Sequence, residues 1–269
     1  MAYLERAEAG VKLYYQERGE GPALLLINGL SQSAANWTSQ VSSLSEGYRV
    51  ITFDCRGQGR SDLGQEPLDI DVHVSDVLAL LDHLGVDRVH PVGFSHGARI
   101  GLRLAAYHPE RVERLVLTGM GADDGVFRRT LVRVWREVLR LGGVEALAWC
   151  SLTDILSQGF LELHAEQIDV MIRTTVQRNS TEGLSAMLDG LMSYPPSLED
   201  ARLVTCPTLV CTADRDPLCS EQAAQRLAST IQNVRHVEFS NCGHTIPIEQ
   251  PRRWREEVRA FLDVASRLR

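Results

Sequence analysis

The segment Gly93-Phe94-Ser95-His96-Gly97 has the pattern Gly-x-Ser-x-Gly, and it is the most informative stretch of the chain. The residues that lead into it, 89–93, are apolar or small except for His90 and are typical of a buried strand. The residues that follow, 97–107, have helical spacing and stop before Pro109. The pattern therefore predicts a serine on a tight strand-to-helix turn, where glycines on either side avoid Cβ clashes.

A serine in such a turn projects its hydroxyl above the sheet, but a hydroxyl is a weak nucleophile and needs a base. His244 is the candidate base, because residues 241–244 follow the last predicted strand and return to the sheet edge where Ser95 would lie. His96 is expected to act through its backbone N–H and not through its ring. The remaining histidines have other expected places: His73, His83, His108 and His164 on helix surfaces, and His90 and His236 in strands.

A carboxylate must orient the base, and two loops could supply it. Asp214 and Asp216 follow the strand predicted at 209–212, whereas Asp123 and Asp124 follow an earlier strand. Asp216 precedes a proline, and its loop position would let it reach His244. Asp214 is the alternative within the same loop.

The transition state of acyl transfer also needs N–H donors for the developing oxyanion, worth roughly 3–4 kcal/mol each. The His96 N–H follows the serine directly. The Leu30 N–H is the predicted second donor, since a strand at 23–27 ends in the turn Asn28-Gly29. Asn28 and Phe94 lie beside these donors and are predicted to contact the substrate.

Strand-like and helix-like segments alternate along most of the chain, which predicts an α/β fold with a mostly parallel central sheet flanked by helices. Short, apolar strands of this kind are typical of a sheet covered on both faces. An antiparallel hairpin is expected around 11–17. The predicted strands are 23–27, 49–53, 89–93, 115–118, 209–212 and 234–239, and the clearest predicted helices are 71–84, 97–107 and 252–268.

The alternation breaks between residues 122 and 200, where the pattern is helical throughout. This predicts a helical lid (122–200) inserted into a core formed by residues 1–121 and 201–269. A lid of this kind would roof a mainly apolar pocket. Trp135 and Trp149 are predicted to contact the substrate there. The lid also carries Phe127, Phe160, Met171, Met187 and Met192.

Four arginines of the lid, Arg129, Arg133, Arg136 and Arg140, recur at helical spacing and form a basic stripe. The opposite face is predicted to hold Leu131, Val134, Trp135, Val138 and Leu141. A solvated amphipathic face is the simpler interpretation. The alternative is a docking site for an acidic carrier protein or a phosphate-bearing thioester.

The bulk composition excludes some classes of function. A net charge of −7 argues against nucleic acid or anionic membranes as main partners. The six cysteines are scattered without a Cys-x-x-Cys pair, so neither a disulfide framework nor a metal site is expected. The N-terminal residues lack a basic region followed by an apolar stretch, which predicts a cytoplasmic protein. A monomer or homodimer is expected.

Taken together, these segments resemble α/β-hydrolase-fold enzymes of the esterase, enol-lactonase and proline-iminopeptidase type. The matching segments are Leu-Ile-Asn-Gly-Leu at 26–30, Asp-Cys-Arg-Gly-Gln-Gly-Arg-Ser at 54–61, the Gly-x-Ser-x-Gly turn, Ala-Asp-Arg-Asp-Pro at 213–217 and Gly243-His244. The resemblance places the acid at Asp216. The family's usual His-Gly is Asn28-Gly29 here, and its acid loop begins with Ala213 instead of glycine.

The resemblance implies a serine hydrolase that cleaves a small, largely apolar ester or lactone through an acyl-enzyme, with Ser95, Asp216 and His244 as the triad and with no cofactor. A thioesterase, a peptidase acting at an N-terminal residue and a carbon–carbon bond hydrolase remain alternatives. A ligand-binding receptor with slow hydrolysis is an alternative of another class. The sequence does not select among substrates, because fold does not determine function.

Overall fold

An eight-stranded sheet forms the centre of the computed structural model, which describes residues 2–122 and 125–263. The strand order is β1-β2-β4-β3-β5-β6-β7-β8; the β1–β2 and β2–β4 pairs are antiparallel and the others are parallel. The strands are β1 (Ala2–Arg6), β2 (Val11–Arg18), β3 (Ala23–Ile27), β4 (Arg49–Phe53), β5 (His90–Phe94), β6 (Leu115–Thr118), β7 (Thr208–Ala213) and β8 (Val234–Phe239).

Helices cover the sheet and fill the long connection between β6 and β7. They are α1 (Thr38–Leu44), α2 (Ile70–His83), α3 (His96–Tyr107), α4 (Val126–Ile155), α5 (Gln158–Leu163), α6 (Ile168–Arg178), α7 (Thr181–Ser193), α8 (Ser197–Leu203), α9 (Glu221–Thr230), α10 (Ile246–Glu249) and α11 (Pro251–Asp263). The long helix α4 is interrupted at Gly143, whose φ of 70° is a conformation that glycine adopts without a Cβ penalty.

Both faces of the sheet are buried, as the apolar strands require. Along β3, Leu25 and Ile27 pack into the core cluster that contains residues of α2 and α3. Leu24 and Leu26 point to the other face, into a cluster that contains residues of α1 and α11. Because β3, β5, β6 and β7 pair in parallel, their carboxyl ends meet at one edge of the sheet, where the candidate functional loops lie.

The predicted α/β fold is confirmed, with small differences in strand bounds. Four strands have the predicted bounds, β5 lies one residue later, and β7 is longer by one residue at each end. The hairpin prediction was incomplete. Residues 11–17 belong to its second strand only, because the turn lies before Val11 and ends at Gly10 with φ 63°. The predicted continuation of the last helix to residue 268 lies outside the described residues.

The part of the chain between β6 and β7 that the structure describes forms helices α4–α8 and no strand. We call residues 125–203 the helical segment. Its last helix extends three residues beyond the predicted boundary at 200. The division of the chain into a core and a lid remains a prediction. No helix among the described residues is long and apolar enough to cross a membrane.

Candidate active site

Ser95 lies on the turn between β5 and α3 with φ 52°, a left-handed conformation that is rare outside glycine. The neighbouring glycines make the turn possible. A Cβ at Gly93 would lie 2.3 Å from the carbonyl oxygen of Gly97, and a Cβ at Gly97 would lie 2.1 Å from that of Ile27. The turn is thus pressed against the end of β3, which fixes the place of the serine hydroxyl.

His244 connects Ser95 to Asp216. Its Nε2 lies 2.8 Å from the Ser95 Oγ, and its Nδ1 lies 2.8 Å from the Asp216 Oδ2. The carboxylate is held in turn by backbone N–H groups of Leu218 and Cys219, which donate to its Oδ1 at 2.8 and 3.2 Å. Since a carboxylate only accepts, Nδ1 carries the proton and Nε2 can accept from the serine. The imidazole and the carboxylate are both buried.

Asp214, the alternative within the same loop, is directed elsewhere. Its Oδ1 accepts a hydrogen bond from the Cys242 N–H at 3.2 Å, and its own N–H donates to the Phe239 carbonyl. Asp214 therefore supports the loop before His244 without contacting the imidazole. The other candidates, Asp123 and Asp124, lie outside the described residues.

Of the two N–H groups predicted as oxyanion donors, that of Leu30 lies on the loop after β3 and that of His96 lies on the first residue of α3, directly after Ser95; neither donates to another described residue. Asn28 stabilises the loop after β3. Its side chain donates to the Phe53 carbonyl and accepts from the Trp37 indole, both at 2.8 Å. The predicted substrate contact of Asn28 was wrong, because this side chain is fully buried and does not line the cavity.

The segment at 54–61 also supports the loop after β3. Asp54 accepts from the backbone N–H groups of Ala34 and Arg60 at 2.6 and 2.8 Å, and burial raises the pKa of its carboxyl. Gly59 has φ 57°, and a Cβ there would lie 2.2 Å from the Asp54 Oδ2. This motif is accordingly a scaffold for the active-site loops and contributes no group to the cavity wall.

One histidine, His73, occupies a place that differs from the sequence prediction. His73 was expected on a helix surface but is buried, and burial lowers its pKa to about 3. The ring of His96 is buried beside it, with ring centroids 4.9 Å apart, and its Nε2 lies 2.9 Å from the Tyr194 hydroxyl. Burial also holds the pKa of His96 well below its ordinary value. Both rings are therefore neutral.

A cavity of about 560 Å³ opens above Ser95 and His244, between the loops at the sheet edge and the helical segment. Phe94 and Trp135, whose contact with the substrate remains a prediction, line this cavity, and the Trp135 indole donates to the Asp154 Oδ2 at 2.9 Å. The predicted contact of Trp149 does not agree with its position, since it is 46% exposed and does not line the cavity.

The comparisons with known proteins agree with the α/β fold and identify the family. A family model described as alpha/beta hydrolase fold matches residues 22–251. This chain belongs to that family. It is 28% identical to 3-oxoadipate enol-lactonase 2 of Acinetobacter baylyi, over 94% of this chain and 93% of that protein. It is 30% identical to RutD of Serratia proteamaculans, provisionally named a carbamate hydrolase, over 88% of this chain and 90% of that protein.

Among solved structures, the enol-lactonase of Burkholderia xenovorans LB400 superimposes with a TM-score of 0.86 at 27% identity, covering 97% of this chain and 99% of that one. These relatives are hydrolases. Membership of the α/β-hydrolase family together with such relatives supports hydrolase activity for this chain. Neither the substrate nor the role of any residue follows from these comparisons.

The helical segment of this α/β-hydrolase is docked directly on the loop that carries His244. The Thr245 N–H donates to the Ile155 carbonyl at 3.1 Å. The Glu249 carboxylate accepts from the Ser157 hydroxyl and from the Gly243 N–H. Sequence reasoning missed these contacts, because only the fold brings the end of α4 to a loop about ninety residues away.

The four arginines of the predicted basic stripe are exposed on α4. Arg136 pairs with Asp189 at 2.7 Å and Arg140 with Glu137 at 2.8 Å. The predicted opposite face is partly wrong, because Val134 and Leu141 are also exposed while Val132 and Leu139 point inward. The stripe does not line the cavity.

Other arginines, which the sequence analysis did not single out, do line the cavity: Arg99, Arg128 and Arg178. Their spacing in sequence carries no signal, since they lie on α3, on α4 and at the end of α6.

No group of His, Cys, Asp or Glu residues within the described ranges could hold a metal ion, and all six cysteines are free thiols.

Proposed function

We propose that this protein is a serine hydrolase that cleaves a carboxylic ester or lactone through an acyl-enzyme. The observation that carries the proposal is the chain of contacts from the Ser95 Oγ through His244 to Asp216, with both distances at 2.8 Å. Serine, imidazole and carboxylate in this order form the arrangement that activates a hydroxyl for attack on a carbonyl. The family membership of the chain is consistent with the same chemistry.

In the proposed reaction, the Ser95 Oγ forms a bond to the carbonyl carbon while its proton passes to the His244 Nε2. The negative charge on the carbonyl oxygen is stabilised by the Leu30 and His96 N–H groups. The bond to the alkoxide leaving group then breaks, and His244 returns its proton to that oxygen. A water molecule, deprotonated by His244, attacks the acyl-enzyme, and the acid leaves as Ser95 recovers its proton.

Asp216 stabilises the imidazolium that forms in each step and keeps the imidazole in the tautomer that can accept from serine. The buried position of both groups strengthens this interaction relative to water. A peptidase that recognises a free amine is disfavoured, because no Asp or Glu is found among the described residues of the cavity wall.

The proposal is tested with Ser95→Ala and the neutral substrate 4-nitrophenyl hexanoate. We expect kcat to fall by about 10⁴-fold or more, because the nucleophile is removed. Ser229→Ala, on the exposed side of α9, is the matched control and should retain wild-type turnover. A fluorophosphonate probe should modify Ser95 in the wild type, as read by peptide mass spectrometry. Retained turnover in Ser95→Ala, or labelling at another residue, would refute the assignment.

The kind of bond is tested with a panel in which an ester, a lactone, a thioester and a carbamate share similar acyl groups. The proposal expects the highest kcat/KM for an oxygen ester or lactone. A clear preference for the thioester or the carbamate would retain the serine mechanism but replace the proposed substrate class.

A further inference from the structure

The charge of the cavity wall is opposite in sign to that of the whole protein. The chain has a net charge of −7, yet three arginines line the cavity and no carboxylate does so among the described residues. A partly enclosed wall of one sign attracts ligands of the opposite sign. The three arginines differ, however, in how far their charge is already compensated.

Arg99 is compensated. Its guanidinium forms an ion pair with the buried carboxylate of Asp200 and donates to the Pro195 carbonyl at 2.8 Å. Arg128 has interactions of its own. Neither residue is therefore the first candidate for binding an anionic ligand.

Arg178 is different. The only hydrogen bond that its guanidinium makes to a described residue is a long one, 3.4 Å from Nη1 to the Asn36 Oδ1, and no carboxylate among those residues forms an ion pair with it. The Arg178 charge also has only a minor effect on the carboxyl of Asp54. Burial raises the pKa of Asp54, and of the groups that lower this pKa, the Arg178 charge has the smallest effect, after the Ala34 and Arg60 N–H groups. The guanidinium is thus half-buried in the cavity wall with most of its donors available.

The backbone around Arg178 is held firmly against the loops of the active site. The Arg178 carbonyl accepts from the Gly59 N–H at 3.0 Å, and the Asn179 side chain donates to the Ser31 carbonyl at 3.0 Å. Ser31 directly follows Leu30, whose N–H is a proposed oxyanion donor. Arg178 is therefore fixed relative to the place where a substrate carbonyl would bind.

Asn36 adds a second donor beside the guanidinium. Its Oδ1 accepts from the Ser33 N–H at 3.0 Å, from the Ser33 hydroxyl at 3.4 Å and from Arg178, whereas its Nδ2 donates to no described residue. A planar guanidinium with a neighbouring amide N–H group provides the donors that a carboxylate accepts, and charge-assisted bonds of this kind are the strong ones.

We infer that Arg178, assisted by Asn36, binds a carboxylate group of the substrate, so that this hydrolase prefers esters or lactones that carry a second, anionic end. The inference rests on the proposed function. It also revises the expectation of a largely apolar substrate, because the apolar wall would hold the middle of a molecule whose two ends are polar.

The test uses two esters with acyl chains of equal length, 4-nitrophenyl hydrogen adipate and 4-nitrophenyl hexanoate, which differ in ending with a carboxylate or a methyl group. The wild type should have the higher kcat/KM for the adipate ester. In Arg178→Gln the ratio of the two kcat/KM values should fall by about 10- to 100-fold, the range of a hydrogen bond to a charged group. Arg178→Lys should retain part of the preference.

Arg173→Gln is the matched control, because Arg173 lies exposed on the same helix and does not line the cavity; it should leave the ratio unchanged. An unchanged ratio in Arg178→Gln, or an equal loss for both esters, would overturn the inference. If the wild type cleaves neither ester, the proposed function fails, and calorimetry with adipate still tests the site. Weaker adipate binding by Arg178→Gln would then support it, whereas equal or absent binding in both proteins would overturn it.

Discussion

The two walls of the cavity are built in different ways. The loops at the sheet edge pack backbone against backbone, so closely that a Cβ at Gly97 would lie 2.1 Å from a carbonyl oxygen. The helical segment also approaches the core closely, since a Cβ at Gly183 or Gly190 would lie about 2 Å from a carbonyl oxygen, but neither glycine lines the cavity. The segment faces the cavity through side chains such as Trp135 and Arg178, and a Cβ added at its Gly159 would meet no atom within 4 Å. Under the proposed function, the first wall would fix where the reaction takes place, and the second would select what can reach it.

The largest expected effect tests whether the sheet-edge loops carry the chemistry. In Asp216→Asn the imidazole should adopt the wrong tautomer, because an amide can donate to Nδ1, and kcat should fall by about 10⁴-fold. The measurement is turnover of 4-nitrophenyl hexanoate. Asp214→Asn is the control within the same loop and should change kcat far less, since Asp214 bonds to the Cys242 N–H and not to His244. If kcat falls similarly in the two variants, the loss comes from disturbing the loop and not from the contact between Asp216 and His244.

The second prediction compares one glycine from each wall. Gly97→Ala should destabilise the protein by more than about 3 kcal/mol, because the added methyl group overlaps the Ile27 carbonyl and the strand cannot move away. Gly159→Ala lies within α5 in open space and should stabilise the protein by about 0.5–1 kcal/mol. Urea denaturation measures both free energies of unfolding. If Gly97→Ala has the same free energy of unfolding as the wild type, the turn does not pack closely against β3.

The difference between the two walls of the cavity also explains which features could be predicted from the sequence. Glycines at 93 and 97, the Asn-Gly turn after β3 and the order of strands and helices are local patterns, and local patterns specify backbone geometry. The fold and the meeting of Ser95 with His244 and Asp216 could therefore be anticipated. The sequence alone could not decide whether Asp214 or Asp216 is the acid. The two lie two residues apart in one loop, and only the conformation of that loop determines which carboxylate faces the imidazole.

The wall formed by the helical segment could not be predicted in the same way. Helical spacing identifies an apolar side, but it does not show which neighbour covers it, so Trp149 was assigned to the cavity and is exposed. Arg178 is at the end of α6, where nothing in the sequence marks it, and contacts such as those of its carbonyl with the Gly59 N–H and of Asn179 with Ser31 place it at the cavity. Long-range contacts of side chains are the information that a single sequence does not contain.

The smallest predicted effect lies where the two regions meet. His73 and His96 are buried in the core, and the His96 ring contacts Tyr194, which follows α7 of the helical segment. Burial lowers the pKa of His73 from 6.5 to about 3, so between these values the unfolded chain takes up a proton that the folded protein does not. The contribution of the neutral His73 ring to stability is therefore fully present above about pH 6.5. Below this pH the free energy of unfolding falls, by at most about 1.4 kcal/mol per pH unit for this histidine.

His73→Phe keeps an aromatic ring beside His96 but removes the titrating group, so its free energy of unfolding should depend less steeply on pH. Urea denaturation of wild type and variant at pH 7, 6 and 5 measures the two slopes, and their difference should approach one proton. His108→Gln, at a partly exposed site, should keep the wild-type slope. If His73→Phe keeps it as well, the buried ring must be able to bind a proton in the folded state, and the interior between α2 and α3 must be more accessible to water than its packing indicates.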